Sequence, residues 1–165
     1  MREGEAFEGF CRAEYARVAR TAFLITGEWQ EALDVTQETF VRAFERWRTI
    51  REMDRPDAWV HRVAANLAIS SKRRARLRIV RPKERERIVE EPELPDPQLR
   101  EALASLTPAQ RAVIVLRFYE DWSVSDVGEA LGKRPGTVRA LTEQGMARLR
   151  GSLTTEGVSN DGQHR

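Results

Sequence analysis

The chain has 165 residues, of which 41% are hydrophobic and 33% charged, with a formal net charge of +2. That length allows one domain or two small ones with a densely charged surface, and the single cysteine, Cys11, excludes an intramolecular disulfide and a Cys-rich metal site. No run approaches the ~18 apolar residues of a membrane span and the first residues carry no apolar signal core, so a cytoplasmic protein is expected.

Sustained two-residue alternation is missing, and the whole reads as all-α. Residues 6–26 set Phe7, Phe10, Cys11, Tyr15, Val18, Ala22 and Ile25 at helical spacing, which predicts a buried Cys11, and Gly27 ends that helix. The next segment repeats Ala32, Val35, Thr36, Thr39, Phe40, Ala43, Phe44 and Trp47 in steps of three and one, a single wide apolar stripe. Asp34, Gln37, Glu38, Arg42, Glu45 and Arg46 occupy the other face, which is either simply solvated or suited to a protein partner.

Residues 48–57 are polar, contain Asp-Arg-Pro, and read as a loop. A helix follows from about Pro56 to Arg76, with Trp59, Val60, Val63, Ala64 and Leu67 inward and Arg62, Asn66, Ser70 and Arg73 or Arg74 on another stripe. It ends in Lys72, Arg73, Arg74, Arg76 and Arg78, five cations in seven residues. That exceeds what the helix dipole calls for and points to phosphate binding.

Residues 79–98 hold Pro82, Pro92, Pro95 and Pro97 among dense charge and form a linker, with room for a helical turn near 83–89. It separates a lobe at 1–78 from one at 99–150. The second lobe opens with Leu99, Ala102, Leu103 and Leu106, then Thr107-Pro108-Ala109-Gln110, a capping box with proline in the first turn. Ala112, Val113, Leu116 and Tyr119 make the inner face of that helix. Residues 122–150 read as two helices joined by Gly132-Lys133-Arg134, the first about 123–131 and the second from Pro135 with Val138, Leu141, Gly145 and Leu149 inward. Arg139, Thr142, Glu143, Gln144, Arg148 and Arg150 take the opposite face. This is the shape of a helix-turn-helix, whose second helix enters the major groove, although Gly-turn helical hairpins also occur without DNA. The tail 151–165 has no periodicity and is expected to be disordered.

Taken together, these residues resemble the extracytoplasmic-function (ECF, group IV) sigma factors of the sigma-70 family. DVTQETFVRAFERW at 34–47 is similar to their region 2.2, RPDAWVHRVAANLAISSKRR at 55–74 to regions 2.3 and 2.4, and residues 106–150 to region 4. Gly145 followed by MARLR is similar to an actinobacterial subgroup. The resemblance implies two small helical domains, sigma region 2 and sigma region 4, joined by the charged, Pro-containing linker. It implies that Asp34, Gln37, Glu38 and Arg42 dock on the β′ clamp helices of core RNA polymerase, with the β subunit as a further partner. The loop at 48–57 would help hold a flipped base of the −10 element. Arg62, Asn66 and Arg73 would face its non-template strand, with Trp59 at the edge of that surface, and Lys72, Arg74 and Arg76 would meet phosphates.

Lys133, Arg134, Thr137, Arg139, Thr142, Glu143 and Arg148 would serve the −35 element, and the linker would run near the RNA exit path. An anti-sigma factor is a further candidate partner, which could hold the protein at the membrane and away from the nucleoid; no cofactor is implied. The chain departs from its relatives at Ala140, Leu141, Glu143 and Gln144, where they often carry serine and basic or polar residues. Glu143 could accept from a cytosine amino group or face solvent.

The alternative is a stand-alone helix-turn-helix regulator, which leaves the basic helix at 56–78 without a task. An enzyme is disfavoured: HExxH, GxxxxGK[ST], GxGxxG and GxSxG are absent, and the two histidines, His61 and His164, suggest no nucleophile–base pair. A pure interaction protein would leave both cationic clusters idle.

Overall fold

The computed structural model describes residues 2–75, 90 and 96–159, except for the side chains of 73–75 and 155–159. Arg76, Arg78 and the helical turn expected near 83–89 therefore lie outside the described residues, as do residues 160–165. The chain divides into two compact units, Met1–Glu91 and Pro92–Arg165. Every element among the described residues is helical.

In the first unit, α1 (Glu3–Thr26), α2 (Trp29–Glu45) and α4 (Pro56–Ala75) pack on one another, with one short turn of helix, α3 (Trp47–Ile50), between α2 and α4. Gly27 adopts the left-handed conformation that closes α1, at φ 78°, with its N–H donating to the Phe23 carbonyl. The centre is built mainly from small side chains: Ala19, Ala22, Ala32, Ala43, Ala64, Ala65 and Ala68 are buried beside Val18, Ile25 and Val60. Buried threonines fill the remaining positions without leaving a hydroxyl unmet. Thr36 donates to the Ala32 carbonyl at 2.7 Å and Thr39 to that of Val35 at 2.8 Å, each one turn back.

One end of the core is aromatic instead. Phe7 and Phe10 of α1 meet Trp47 at centroid distances of 5.3 and 5.1 Å, and Tyr15 stacks on Phe40 at 5.5 Å. Cys11, expected to be a core thiol, is only half-buried at this end, where partial burial and then Glu8 raise its pKa.

Three readings of this unit need correction. Phe44 is not part of the buried stripe; it is 63% exposed at the stripe's edge, with its ring against Phe7 at 5.2 Å, while Trp47 turns inward within α3. The loop expected at 48–57 is correspondingly shorter, spanning only 51–55. On α4 the buried stripe is Val60, Ala64, Ala65, Ala68 and Ile69, while Trp59, Val63 and Leu67 are half-buried.

The second unit comprises α5 (Pro97–Ala104), α6 (Pro108–Ile114), a π-helical turn (Val115–Tyr119), α7 (Val124–Leu131) and α8 (Pro135–Ser159). Asp96 caps α5 by accepting from the Gln98 N–H at 2.8 Å. The last residues of the expected linker are thus helical. At α6 the capping box forms as its residues demand: the Gln110 N–H donates to Thr107 Oγ1 at 3.3 Å, and the Thr107 N–H donates to Gln110 Oε1 at 3.2 Å. Thr107→Ala should cost about 1 kcal/mol in urea unfolding of this unit.

Arg111 is almost fully buried, and desolvation, reinforced by Arg100, lowers its pKa to about 10, which leaves it charged at neutral pH. The π-helical turn widens the helix by one residue and breaks the expected face, so Leu116 stays inside while Phe118 and Tyr119 become 57% and 51% exposed. The tail also differs from expectation. α8 continues beyond Arg150 to Ser159, tied to the turn after α5 by Arg148 Nη1, which donates to the Ser105 carbonyl at 3.1 Å, and by the Ser152 and Ser105 hydroxyls at 3.4 Å.

Candidate functional site

On α2, Asp34, Gln37, Glu38 and Arg42 are all exposed on one side of the helix. Arg42 Nε donates to Glu38 Oε1 at 2.8 Å, an i,i+4 pair open to solvent on both sides. Gln37 is steadied from α1: Tyr15 is hydrogen-bonded to its side chain, while partial burial and the nearby Asp34 raise the phenol pKa. Sequence reasoning missed Val41, which is 54% exposed and lies one turn beyond Gln37 and Glu38, and Phe44, one turn further. Exposed apolar side chains among polar and charged ones are the arrangement expected in a protein–protein contact. Mean stripe periodicity could not have found Val41, because a lone valine between polar positions carries no signal.

The 51–55 turn is clamped by a fork. Arg55 donates from Nε and Nη2 to the two Asp57 carboxylate oxygens, at 3.1 and 2.9 Å. This hydrogen-bonded guanidinium holds the Asp57 carboxyl below its ordinary pKa, and Asp57 in turn sits in the first turn of α4, where the helix dipole favours negative charge.

On α4, Arg62, Asn66 and Ser70 are exposed at four-residue intervals, and Asn66 Nδ2 donates to the Arg62 carbonyl at 3.1 Å. Lys72 is half-buried, and Arg73 and Arg74 lie in the last turn of the same helix. The helix is anchored from behind. Ser71 hydrogen-bonds Glu31 of α2. His61, flanked in sequence by arginine, is a core residue: its Nδ1 lies 3.4 Å from Thr21 Oγ1 and its Nε2 3.6 Å from Glu14 Oε2.

In the second unit, Ser123 caps α7 by accepting from the Asp126 N–H at 3.0 Å, and Gly132 turns the chain at φ 63°. The turn is tight. A side chain on Gly128 would bring a Cβ within 2.7 Å of the Lys133 carbonyl oxygen. Gly145 admits the same closeness between α6 and α8, since a Cβ there would meet Ile114 Cγ1 at 3.0 Å. Val138, Gly145 and Leu149 are buried, with Leu141 half-buried, so the opposite face of α8 is fixed.

Gly136, Thr137, Arg139, Ala140, Glu143, Gln144, Ala147 and Arg150 are exposed, with Arg134 in the preceding turn; Lys133 is half-buried. Of the other nominated residues, Arg148 is exposed and Thr142 is half-buried. Thr142 donates back to the Val138 carbonyl at 2.7 Å, and Arg148 is engaged with Ser105. Their positions flank the outward face, and both side chains already have partners within the domain.

These two sets of surfaces coincide with two recognised segments. Residues 10–78 match the family model Sigma-70 region 2, and residues 102–151 match Sigma-70, region 4. ECF RNA polymerase sigma factor SigL of Mycobacterium tuberculosis is 34% identical over 156 residues, 88% of each chain. The chain belongs to the ECF sigma factors. RNA polymerase sigma-E factor of Streptomyces coelicolor is 31% identical to this sigma factor, over 96% of this chain and 92% of the relative.

ECF RNA polymerase sigma factor SigE of Mycolicibacterium smegmatis is 32% identical, and there the match spans 62% of the longer relative. The fold matches those of two solved proteins: the sigma factor RpoE of Bartonella quintana, in complex with the anti-sigma factor NepR, and CnrH, in complex with the cytosolic domain of CnrY. The first has a TM-score of 0.71 at 19% identity, covering 91% of this chain and 98% of the other. The second has a TM-score of 0.64 at 23% identity, covering 92% and 90%. Among the described residues, no helix is long and apolar enough to cross a membrane.

Proposed function

We propose that this sigma factor recruits core RNA polymerase through the exposed face of α2 and carries it to promoters read by α4 at the −10 element and α8 at the −35 element. The observation that supports this most is the pairing, in one chain, of an outward α2 face bearing Asp34, Gln37, Glu38 and Arg42 with an outward α8 face bearing Thr137 and Arg139. A stand-alone regulator needs only the second. The β′ clamp helices and the β subunit are the partners in this reading. Arg62, Asn66 and Lys72, with Arg73, Arg74 and Arg76 following in sequence, supply the −10 surface, and the Arg55–Asp57 fork holds the turn beside it. Lys133 and Arg134 meet phosphates at the start of α8.

Melting exposes bases that must be held in pockets or on a basic track, and unstacking each costs a few kcal/mol, to be met by binding. The reading gives the chain no bond-making step of its own. In this reading the protein works in the cytoplasm, with an anti-sigma factor as the jailer of the same surfaces.

The test is assembly of the full chain with core polymerase, followed by run-off transcription. Stable holoenzyme and discrete start sites are expected. The Asp34→Ala/Gln37→Ala/Glu38→Ala variant should bind core on the order of 10- to 100-fold more weakly. If the chain ignores core polymerase and by itself shifts a specific duplex, the regulator takes its place.

A further inference from the structure

The outward face of α8 is unusual in what it lacks. Gly136, Ala140 and Ala147 are exposed along it and carry almost nothing beyond the backbone. Over the two turns after Gly136, the long charged side chains on that face are Arg139 and Glu143, both exposed. They stand four residues apart, the spacing at which an arginine and a glutamate commonly pair. Among the described residues neither is drawn into a side-chain ion pair or hydrogen bond, whereas Arg148, on the flank, is committed to the Ser105 carbonyl.

We infer that Arg139 and Glu143 are the base readers of this sigma factor, Arg139 selecting guanine and Glu143 selecting cytosine within the −35 element; this rests on the proposed placement of α8 in the major groove. A carboxylate on a groove-facing helix is repelled by phosphate oxygens, so it is tolerated only where it meets a donor. The major-groove edge offers two amino donors. That of adenine lies beside the N7 acceptor, which repels a carboxylate, whereas the N4 amino group of cytosine has no acceptor on its own base edge.

Arg139 meets the opposite requirement, since guanine presents the two acceptors O6 and N7 that a guanidinium spans. Four residues rise about 6 Å along a helix and base pairs stack about 3.4 Å apart, so the two bases sit one or two steps apart. The small residues at 136, 140 and 147 let the helix backbone settle deep enough for the short reach of a glutamate.

The experiment is run-off transcription by holoenzyme carrying the full chain, on a promoter whose −35 element is randomised, with the −10 element held constant. The wild type is expected to prefer cytosine by about 10-fold at one position and guanine by about as much one or two steps away. Glu143→Gln should lose the cytosine preference and turn it toward adenine, the base a glutamine reads in two places, while the guanine preference persists. Arg139→Ala should erase the guanine preference and spare the cytosine. Unchanged preferences in Glu143→Gln, or a wild type with no cytosine preference, would overturn the assignment while leaving the sigma reading intact. Failure of the wild type to form holoenzyme would instead strike the reading on which the assignment rests, and the assignment would fall with it.

Discussion

Gly128→Ala is expected to destabilise the second unit by about 2–3 kcal/mol, the scale of a forced overpacking. A real Cβ does not approach a carbonyl oxygen to 2.7 Å, and the atom it would strike is backbone, the Lys133 oxygen, with Val138 Cγ2 behind it at 3.6 Å. The clash cannot be relieved by turning a side chain. It must move the Gly132–Lys133 turn, which is itself pinned by the Lys133 N–H donating to the Gly128 carbonyl at 2.8 Å, and so must tilt α8 away from α7. In urea unfolding followed by circular dichroism, the second unit should melt earlier. In transcription, promoters that depend on the −35 element should lose at least about 10-fold, while affinity for core polymerase through the first unit stays as in wild type. A variant with wild-type melting and wild-type promoter use would mean that the turn has slack the geometry does not reveal.

The second large effect is expected at Val41→Asp. Val41 is exposed, so the substitution creates no buried charge and should leave the far-ultraviolet spectrum and the melting temperature within a few degrees of wild type. On the proposed docking face it lies one turn beyond Gln37 and Glu38 and next to Arg42, all of them exposed. An apolar residue among polar ones in a contact contributes disproportionately, because the polar surround excludes water from it. A carboxylate there would be desolvated without a partner and would add to the neighbouring acidic charge. Affinity for core polymerase should fall about 100-fold, measured by competition against labelled wild type. Wild-type affinity would move the docking surface off α2.

The helices were legible in the sequence wherever a residue's backbone preference and its side chain agreed. Ser123, Thr107 and Gly132 each end or begin a helix for local reasons, and local reasons are visible in a single chain. Family resemblance then supplied the roles. What escaped depended on neighbours distant in sequence or on irregular backbone. Phe44 and Trp47 are both aromatic at helical spacing, yet one is 63% exposed at the edge of α2 and the other is buried in α3, beyond the bend at Arg46. The π-helical turn shifts the face at Phe118 and Tyr119 without any proline or glycine to announce it.

Nothing in the sequence around His61 announces that Thr21 and Glu14 of α1 enclose it. The hydrogen bonds of Arg148 to Ser105 and of Thr142 to Val138 are likewise invisible in the sequence. The run after Arg150 carries no apolar period, and among its described side chains Ser152 reaches back to the Ser105 hydroxyl.

The alanine and threonine interior of the first unit has a consequence for how the protein can change over time. Side chains of that size have few rotamers to lose, and helices that meet over them sit too closely to admit larger groups. A body packed this closely has little internal ordering left to do on meeting a partner. Such a body should tolerate wide variation on the outer faces of α2 and α4 and almost none at Ala32, Ala43, Ala64 or Ala68. New specificities can then be acquired one exposed residue at a time, on a scaffold that does not have to refold to accept them.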